Sequence, residues 1–529
     1  MPEVVRNYDI ICFGDEVPGI LTLVTAAREF YRRTNRYPHS LVMFKGNSLL
    51  GVGGHLVRGG LAYIDRSVVP RQVRDAHGLG IYGQSAQIYE EFLNRAQVAQ
   101  IALDARKGDQ VLREMLREVG ADILSNVEIK SVIKQGKAIA GIALHRGETY
   151  MGQYFIDATV NAELAQFSGV EKQKGFATFG LPNSELSVTL TFETEGISVS
   201  QLKDVEMNYM RRFADINDRE AQKWIQIAAG GNGDKAQMLR EPFVKNRDNL
   251  GNLAMYAGRD YIDVRSDALS IAYHAFRDRV LDLRVSKAIL DRGNIAVFAD
   301  GRMSWNALLF DVNADQAENL ARNKALPTPE MNHEFHQYIV PWFQSLGATR
   351  VTPAPELYIR RAGNIVGVND PLTGVEMLQG GVPASEAIGT FGYHFDIRGG
   401  IAGLGDRAAE KGLEKVIFMK LPAPLFNVGI QHTLLKDVPN LSVISPASGF
   451  EGYASSAGRI VEFNAFVGQG VGVAIALSML NNVNLNTISN RQVRDFLAQR
   501  GLLSAIYGQP YGVNDAIAQI DSFETGLAA

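Results

Sequence analysis

Disulfide chemistry is closed to this chain, because its 529 residues include a single cysteine, Cys12. That scarcity also removes any multi-cysteine metal site and makes the reducing cytoplasm the default compartment. Cys12 sits in the middle of an apolar run and reads as a buried filler. Charge of one sign is not in excess either: 53 Lys and Arg stand against 57 Asp and Glu, for a net charge of -4. No whole-chain basic field draws nucleic acid or an anionic membrane. Long hydrophobic runs are missing too. The longest, Phe466 to Leu480, is broken by small and polar residues and is too short to span a bilayer. Acidic and basic residues precede the first apolar run, unlike a signal peptide. Motifs for zincins, P-loops and nucleophile elbows are absent. His333-Glu-Phe-His336 has helical i, i+3 spacing but no third ligand nearby, so it reads as a polar, solvent-facing pair rather than a metal site.

What is present is glycine in the right places. Tyr8-Asp-Ile-Ile-Cys-Phe-Gly14-Asp-Glu16-Val17-Pro-Gly19 predicts a strand that turns into a helix from about Ile20 to Phe30. This layout presents backbone N–H groups and a helix N-terminus to a pyrophosphate. Gly14 and Gly19 hold the first and third glycine positions of G-x-G-x-x-G, and Glu16 replaces the second. A second apolar strand, Ser40 to Phe44, suits a parallel sheet buried on both faces. A loop dense in glycine follows, Lys45 to Gly60.

The pattern predicts a helix from Ser85 to about Val119 with a break near Gly108. Period-two strands follow over Ile123–Ile133, Ile139–His145 and Tyr150–Ala158. Residues 170–350 read as a mixed region with a strand at 187–193 and helices near 198–226, 267–292, 314–322 and 332–346. The chain closes with a strand at 441–444, a helix from about Gly458 to Leu480 and an amphipathic helix over 488–507.

In that order the chain resembles the two-dinucleotide-binding-fold flavoproteins, the FAD-dependent oxidoreductases related in fold to glutathione reductase and fumarate reductase. Four segments carry the likeness. They are the opening turn with the Gly51–Gly60 loop, Ile156-Asp-Ala-Thr-Val-Asn-Ala-Glu-Leu-Ala165, Leu357 to Gly367 continued by Gly392-Tyr-His394-Phe-Asp396-Ile, and Leu441 to Leu477. The resemblance implies an α/β fold: a Rossmann-like FAD-binding domain, with a parallel sheet and an antiparallel β-meander, plus an inserted mixed α/β substrate (cap) domain. The divisions would fall at 1–170, 171–355, 356–485 and a helical tail 486–529.

FAD is the implied cofactor. The implied contacts are Gly14, Glu16, Val17 and Gly19 in the turn, Phe44 and Lys45 after the second strand, and Gly54 in the loop. Val127, Ala158 and Thr159 follow, with Gly449, Gly470 and Val471 in the closing segment. The 14–19 and 468–472 bends would grip opposite ends of one elongated nucleotide. The family's ribose-binding Glu falls at Phe44 or Lys45, its Asp-Ala-Thr-Gly glycine is Val160, and its Ala-Gly-Arg reads Pro446-Ala-Ser-Gly449. A carboxylate at Glu16 costs roughly 1–4 kcal/mol beside a pyrophosphate. Either it swings to the ribose in place of the missing Glu, or the fold keeps its shape and has lost tight FAD binding.

A flavin carries hydride chemistry itself, so the protein must supply a proton carrier and a substrate clamp. His394, with Asp396 two residues on, leads as acid/base. His55 is a second candidate. His432 reads as structural, and Glu451, Tyr453 and Arg459 lie near the start of the closing helix. Arg360 or Arg361 suits a bidentate carboxylate clamp, with an internal salt bridge as the plain alternative. Arg58 and Arg398 would add to a cationic pocket. His55 and Cys12 are the conceivable points for covalent flavin. The expected protein is a cytoplasmic FAD-dependent oxidoreductase acting on a small organic substrate, with no nucleic acid, no membrane span and no signal for an oligomeric state. The alternative is a non-catalytic ligand-binding protein on the same fold, as in guanine-nucleotide dissociation inhibitors. A halogenase would want W-x-W-x-I-P, which is absent.

Overall fold

The computed structural model describes residues 4–397, 399–417, 423–512 and 514–528, so Arg398 lies outside the described residues. Its centre is a five-stranded parallel sheet in the order Leu441–Val443, Tyr154–Asp157, Ile10–Phe13, Ser40–Met43, Asp122–Leu124. The first four strands are short apolar runs with nearly every residue buried, as a sheet covered on both faces requires. The opening helix Val17–Thr34 follows strand Ile10–Phe13 and packs on one face of the sheet.

The closing helix Val461–Asn481 lies against the opening helix, and glycine brings them close. A Cβ at Gly468 would fall 2.6 Å from Thr22 Oγ1, and one at Gly472 would fall 2.6 Å from the Thr22 carbonyl oxygen. This corrects the expectation for residues 468–472. They are mid-helix rather than a bend, Gly470 faces Ile388, Ile430 and Val493, and Val471 is fully buried core. Neither lines the cavity beside Gly14. By length and composition the closing helix could cross a membrane, but most of it is buried inside the protein.

Two expected strands each divide between two sheets. Asp122–Leu124 joins the parallel sheet; Asn126, left-handed at φ 55, turns the chain, and Ile129–Gln135 starts the meander. Likewise Glu148–Met151 closes the meander and Tyr154–Asp157 returns to the parallel sheet. Val4–Asn7 adds a parallel strand to the meander's edge. The expected long helix is two, Gln87–Arg95 and Ala105–Glu118. Asp104 caps the second by accepting from the Arg106 amide, and Gly108 lies inside it.

The region expected as the inserted cap holds a six-stranded antiparallel sheet ordered Tyr256–Ala257, Tyr261–Asp263, Ala288–Val297, Met303–Phe310, Val188–Glu195, Arg350–Pro353. Phe192, Trp305, Phe335 and Phe343 pack on one another at its centre. The helix expected over 267–292 stops at Phe276, and a ten-residue strand begins at Ala288. Left-handed Asp278 and Lys287 break the helical path between them. At the C-terminal end, helix Asn490–Gln499 sets Val493 against the closing helix. Helix Asn514–Ala528 buries Ile520, Phe523 and Leu527 against Phe176, Phe179 and Tyr453.

Candidate functional site

The turn after the first strand keeps the shape its glycines predict. Gly14 sits at φ 96, and a Cβ there would fall 2.4 Å from the Ala158 carbonyl carbon. A Cβ at Gly19 would fall 2.1 Å from Ala158 Cβ. Both glycines thus press the turn and the helix onto the end of strand Tyr154–Asp157.

The two acids between them face the glycine loop. Asp15 Oδ2 accepts from the amides of Gly53 at 2.9 Å and Gly54 at 3.2 Å. Its carboxylate also takes Arg58 in a bidentate pair, with Nη2 to Oδ1 at 2.9 Å and Nη1 against Oδ2. Arg58 Nε donates to Glu356 at 2.7 Å, and its guanidinium lies 4.9 Å from the Phe44 ring centre. Glu16 accepts from the His55 amide at 3.2 Å and rests against His55 Nδ1. Left-handed Gly53 and Gly54 turn these amides inward.

All three members of the Asp15–Arg58–Glu356 group are buried. Burial works against the Asp15 charge, but Arg58 and the two amides outweigh it and hold the carboxyl below its ordinary range. Glu356 has one partner already shared. Burial pushes it up to about 7, Arg58 opposes, and the neighbouring Asp15 and Glu16 charges add to the rise. In this arrangement Arg58 is the internal counter-ion of Asp15 and Glu356, rather than an open member of the cationic pocket expected of it. Asp15 and Glu356, the residues that fix it, did not stand out in the sequence; the available signal was two adjacent acids in a turn of a chain with an arginine in its other glycine loop.

Where the resemblance leads one to expect a ribose-binding Glu, at Phe44 or Lys45, packing and an ion pair are found instead. Phe44 is buried beneath Arg58. Lys45 pairs with Glu163 at 2.6 Å and donates to the Arg322 carbonyl of the cap at 3.0 Å. The Val127 amide goes to the Phe44 carbonyl, and the Val127 side chain lies in the meander core. Asp157 organises the Asp-Ala-Thr turn: it accepts from the Thr159 amide and hydroxyl and from the Ala165 amide, while Thr159 Oγ1 accepts from the Glu163 amide. Burial lifts the Asp157 carboxyl to about 6 against those hydrogen bonds. Val160 packs toward the cap core. Between these residues and cap residues Ala321, Lys324 and Ala325 remains a cavity of about 80 Å³. A larger one, about 610 Å³, lies within the cap; Asn323 and Leu326 line it, while Lys324 and Ala325 line the smaller one.

The other candidates sort into a second cluster. His55 stacks on Tyr358 with ring centres 5.0 Å apart, and Arg360 lies 4.8 Å from the same ring centre. His55 is 7% exposed, and its Nε2 has no hydrogen-bond partner among the described residues. Arg360 Nη1 donates to the Ser187 carbonyl at 2.6 Å, and Arg361 pairs with buried Glu185. Arg459 binds Asp396 at 2.6 Å beside Tyr393.

His394 is not part of this cluster. Its side chain is exposed in a loop, and Asp396 pairs with Arg459 rather than orienting it. Strand Gly389–Gly392 ends too early for the two to share a strand face. Gly449 lies beneath Val368 and His432. His432 is buried among Phe450 and Phe463. Cys12 Sγ faces the Gly14 carbonyl, with burial raising its thiol. Among the described residues no group of three or more His, Cys, Asp or Glu is placed to hold a metal.

The family model described as FAD dependent oxidoreductase matches residues 48–497. No curated protein matches. Similar solved structures include an L-proline dehydrogenase from P. horikoshii, 10% identical, covering 95% of this chain and 99% of that one at a TM-score of 0.35. A geranylgeranyl bacteriochlorophyll reductase-like protein from Thermoplasma acidophilum is 8% identical, covering 99% and 98% at 0.35. The halogenase PltM is 11% identical, covering 94% and 74% at 0.36.

FAD is the cofactor of the matched family, and the present arrangement does not fit it. The turn keeps the close approach a diphosphate needs. Yet the Gly53, Gly54 and His55 amides and Arg58 are taken by Asp15 and Glu16, and a cavity of about 80 Å³ is far below the several hundred Å³ of a ligand site.

Proposed function

Since the chain belongs to the FAD dependent oxidoreductase family, we propose that it oxidises or reduces a small organic substrate by hydride exchange with FAD, in a more open arrangement of the cradle. The family match over 48–497, joined to a dinucleotide-type turn pressed onto Ala158, carries this reading. His55 is the residue proposed to hold or move a proton, at Nε2, where a buried imidazole nitrogen lacks a partner. Arg360, buried against the Tyr358 ring, favours an organic acid as substrate. The single cysteine supports a reducing compartment, the cytoplasm. Titration of the purified chain with FAD tests the reading. The expected result is saturable binding with a flavin spectrum, followed by bleaching on addition of a substrate; no uptake at any FAD concentration would overturn it.

A second reading is a non-catalytic ligand-binding protein on the flavoprotein fold. Asp15 and Glu16 on the cradle amides favour it. Tight binding of a non-flavin ligand by a chain that refuses FAD would establish it.

A further inference from the structure

The groups that converge on Asp15 and Glu16 are those a diphosphate demands. They are consecutive inward amides, a forked guanidinium and an imidazole edge. Two carboxylates hold the amides and one side of the guanidinium at once, Glu356 takes Arg58 Nε, and Glu16 rests against the imidazole. We propose that Asp15 and Glu16 form an internal latch on the dinucleotide cradle, holding the amides and arginine that the FAD diphosphate would take, so that FAD enters only when the carboxylates withdraw. This rests on the oxidoreductase reading above and adds the route by which the cofactor gains its site.

Glu16 is the outer half. Its side chain borders the cavity and is the more exposed of the two, 13% against 5% for Asp15. Asp15 is the inner half, tied to Arg58 and released only if the guanidinium turns to a new anion; a diphosphate is one. The cap side carries stored strain. Lys324 and Ala325 are both left-handed, at φ 61 and 54, a conformation costing side-chain-bearing residues about 1–2 kcal/mol each. The Lys45 bond to the Arg322 carbonyl and the Leu357 amide bond to the Ala325 carbonyl hold that segment down. Asn323 and Leu326 of the same segment line the larger cap cavity, so its movement would open the cradle toward that space. Withdrawal of Glu16 also frees His55 Nδ1, so the event that admits the cofactor releases the proposed proton carrier.

The test is FAD affinity by flavin fluorescence, with ADP as a second probe, for wild type, Glu16→Gln and Glu16→Ala. Loss of a contact carboxylate is expected to tighten FAD and ADP binding by about tenfold or more. Equal affinities in wild type and both variants would overturn the latch while leaving the oxidoreductase reading standing. FAD uptake by none of the three would overturn both. Should the variants misfold, the structure of the FAD-loaded wild-type chain decides. Carboxylates moved off the Gly53, Gly54 and His55 amides are expected; unchanged contacts with FAD bound overturn the proposal.

Discussion

Arg58 Nη2 lies 2.9 Å from Asp15 Oδ1, inside a pocket where both side chains are almost fully buried. This pair joins the opening turn to the glycine loop, and Glu356 extends it to the chain just after the cap.

Asp15→Ala leaves Arg58 buried with only Glu356 as a charge partner. Loss of about 3–5 kcal/mol of stability is expected, as for other broken buried ion pairs. Urea unfolding measures it, and a loss below about 1 kcal/mol would show that the pair is relaxed by water.

Glu356 sets a pH dependence. Its folded pKa, about 7, lies above the ordinary 4.5 because of burial. Between those values the folded chain binds a proton that the unfolded chain lacks. The stability from Glu356 is therefore fully present below the unfolded value and is lost as pH rises through about 7. Glu376 and Glu524, also raised to about 7 by burial, act with the same sign. Stability should fall from about pH 5 to about pH 8, and Glu356→Gln should flatten that slope. Identical slopes in denaturant titrations would refute the assignment.

Gly19→Ala places a Cβ 2.1 Å from Ala158 Cβ. Overpacking of about 1–3 kcal/mol is expected. Ala158→Gly in the same chain should recover most of it, since the clash is between those two atoms; purely additive effects in the double-mutant cycle would count against this contact.

The two histidines should behave differently. His394 is exposed, so His394→Ala should change stability by no more than about 0.5 kcal/mol and leave turnover intact. His55→Ala should slow turnover about 10²-fold or more in FAD-loaded enzyme. The reverse ranking in stopped-flow flavin reduction would move the proton carrier to the exposed loop.

Cys12 is wholly buried in the central sheet. A water-soluble thiol reagent should leave the native chain unlabelled and label it stoichiometrically in urea. Rapid native labelling would mean the sheet opens.

Much of the fold was legible because its signals are local. Apolar runs mark the strands Ile10–Phe13 and Ser40–Met43, and Gly14 and Gly19 mark the turn between strand and helix. Each depends on a residue's own backbone preferences and near neighbours. Strand division at Asn126 and helix termination near Asp278 escaped, because periodicity says nothing of which sheet will take a strand. Residues 468–472 misled for a related reason: glycine serves a ligand's approach and a helix crossing equally, and only the neighbour, here Thr22, tells them apart.

By itself, then, the sequence determined the opening strands, the glycine turn and the helix that follows it. Tertiary structure alone decided where the charges are spent. Arg58 stands 43 residues from Asp15 and 298 from Glu356 along the chain, and a Coulomb partner is chosen by distance in space, which no local pattern records.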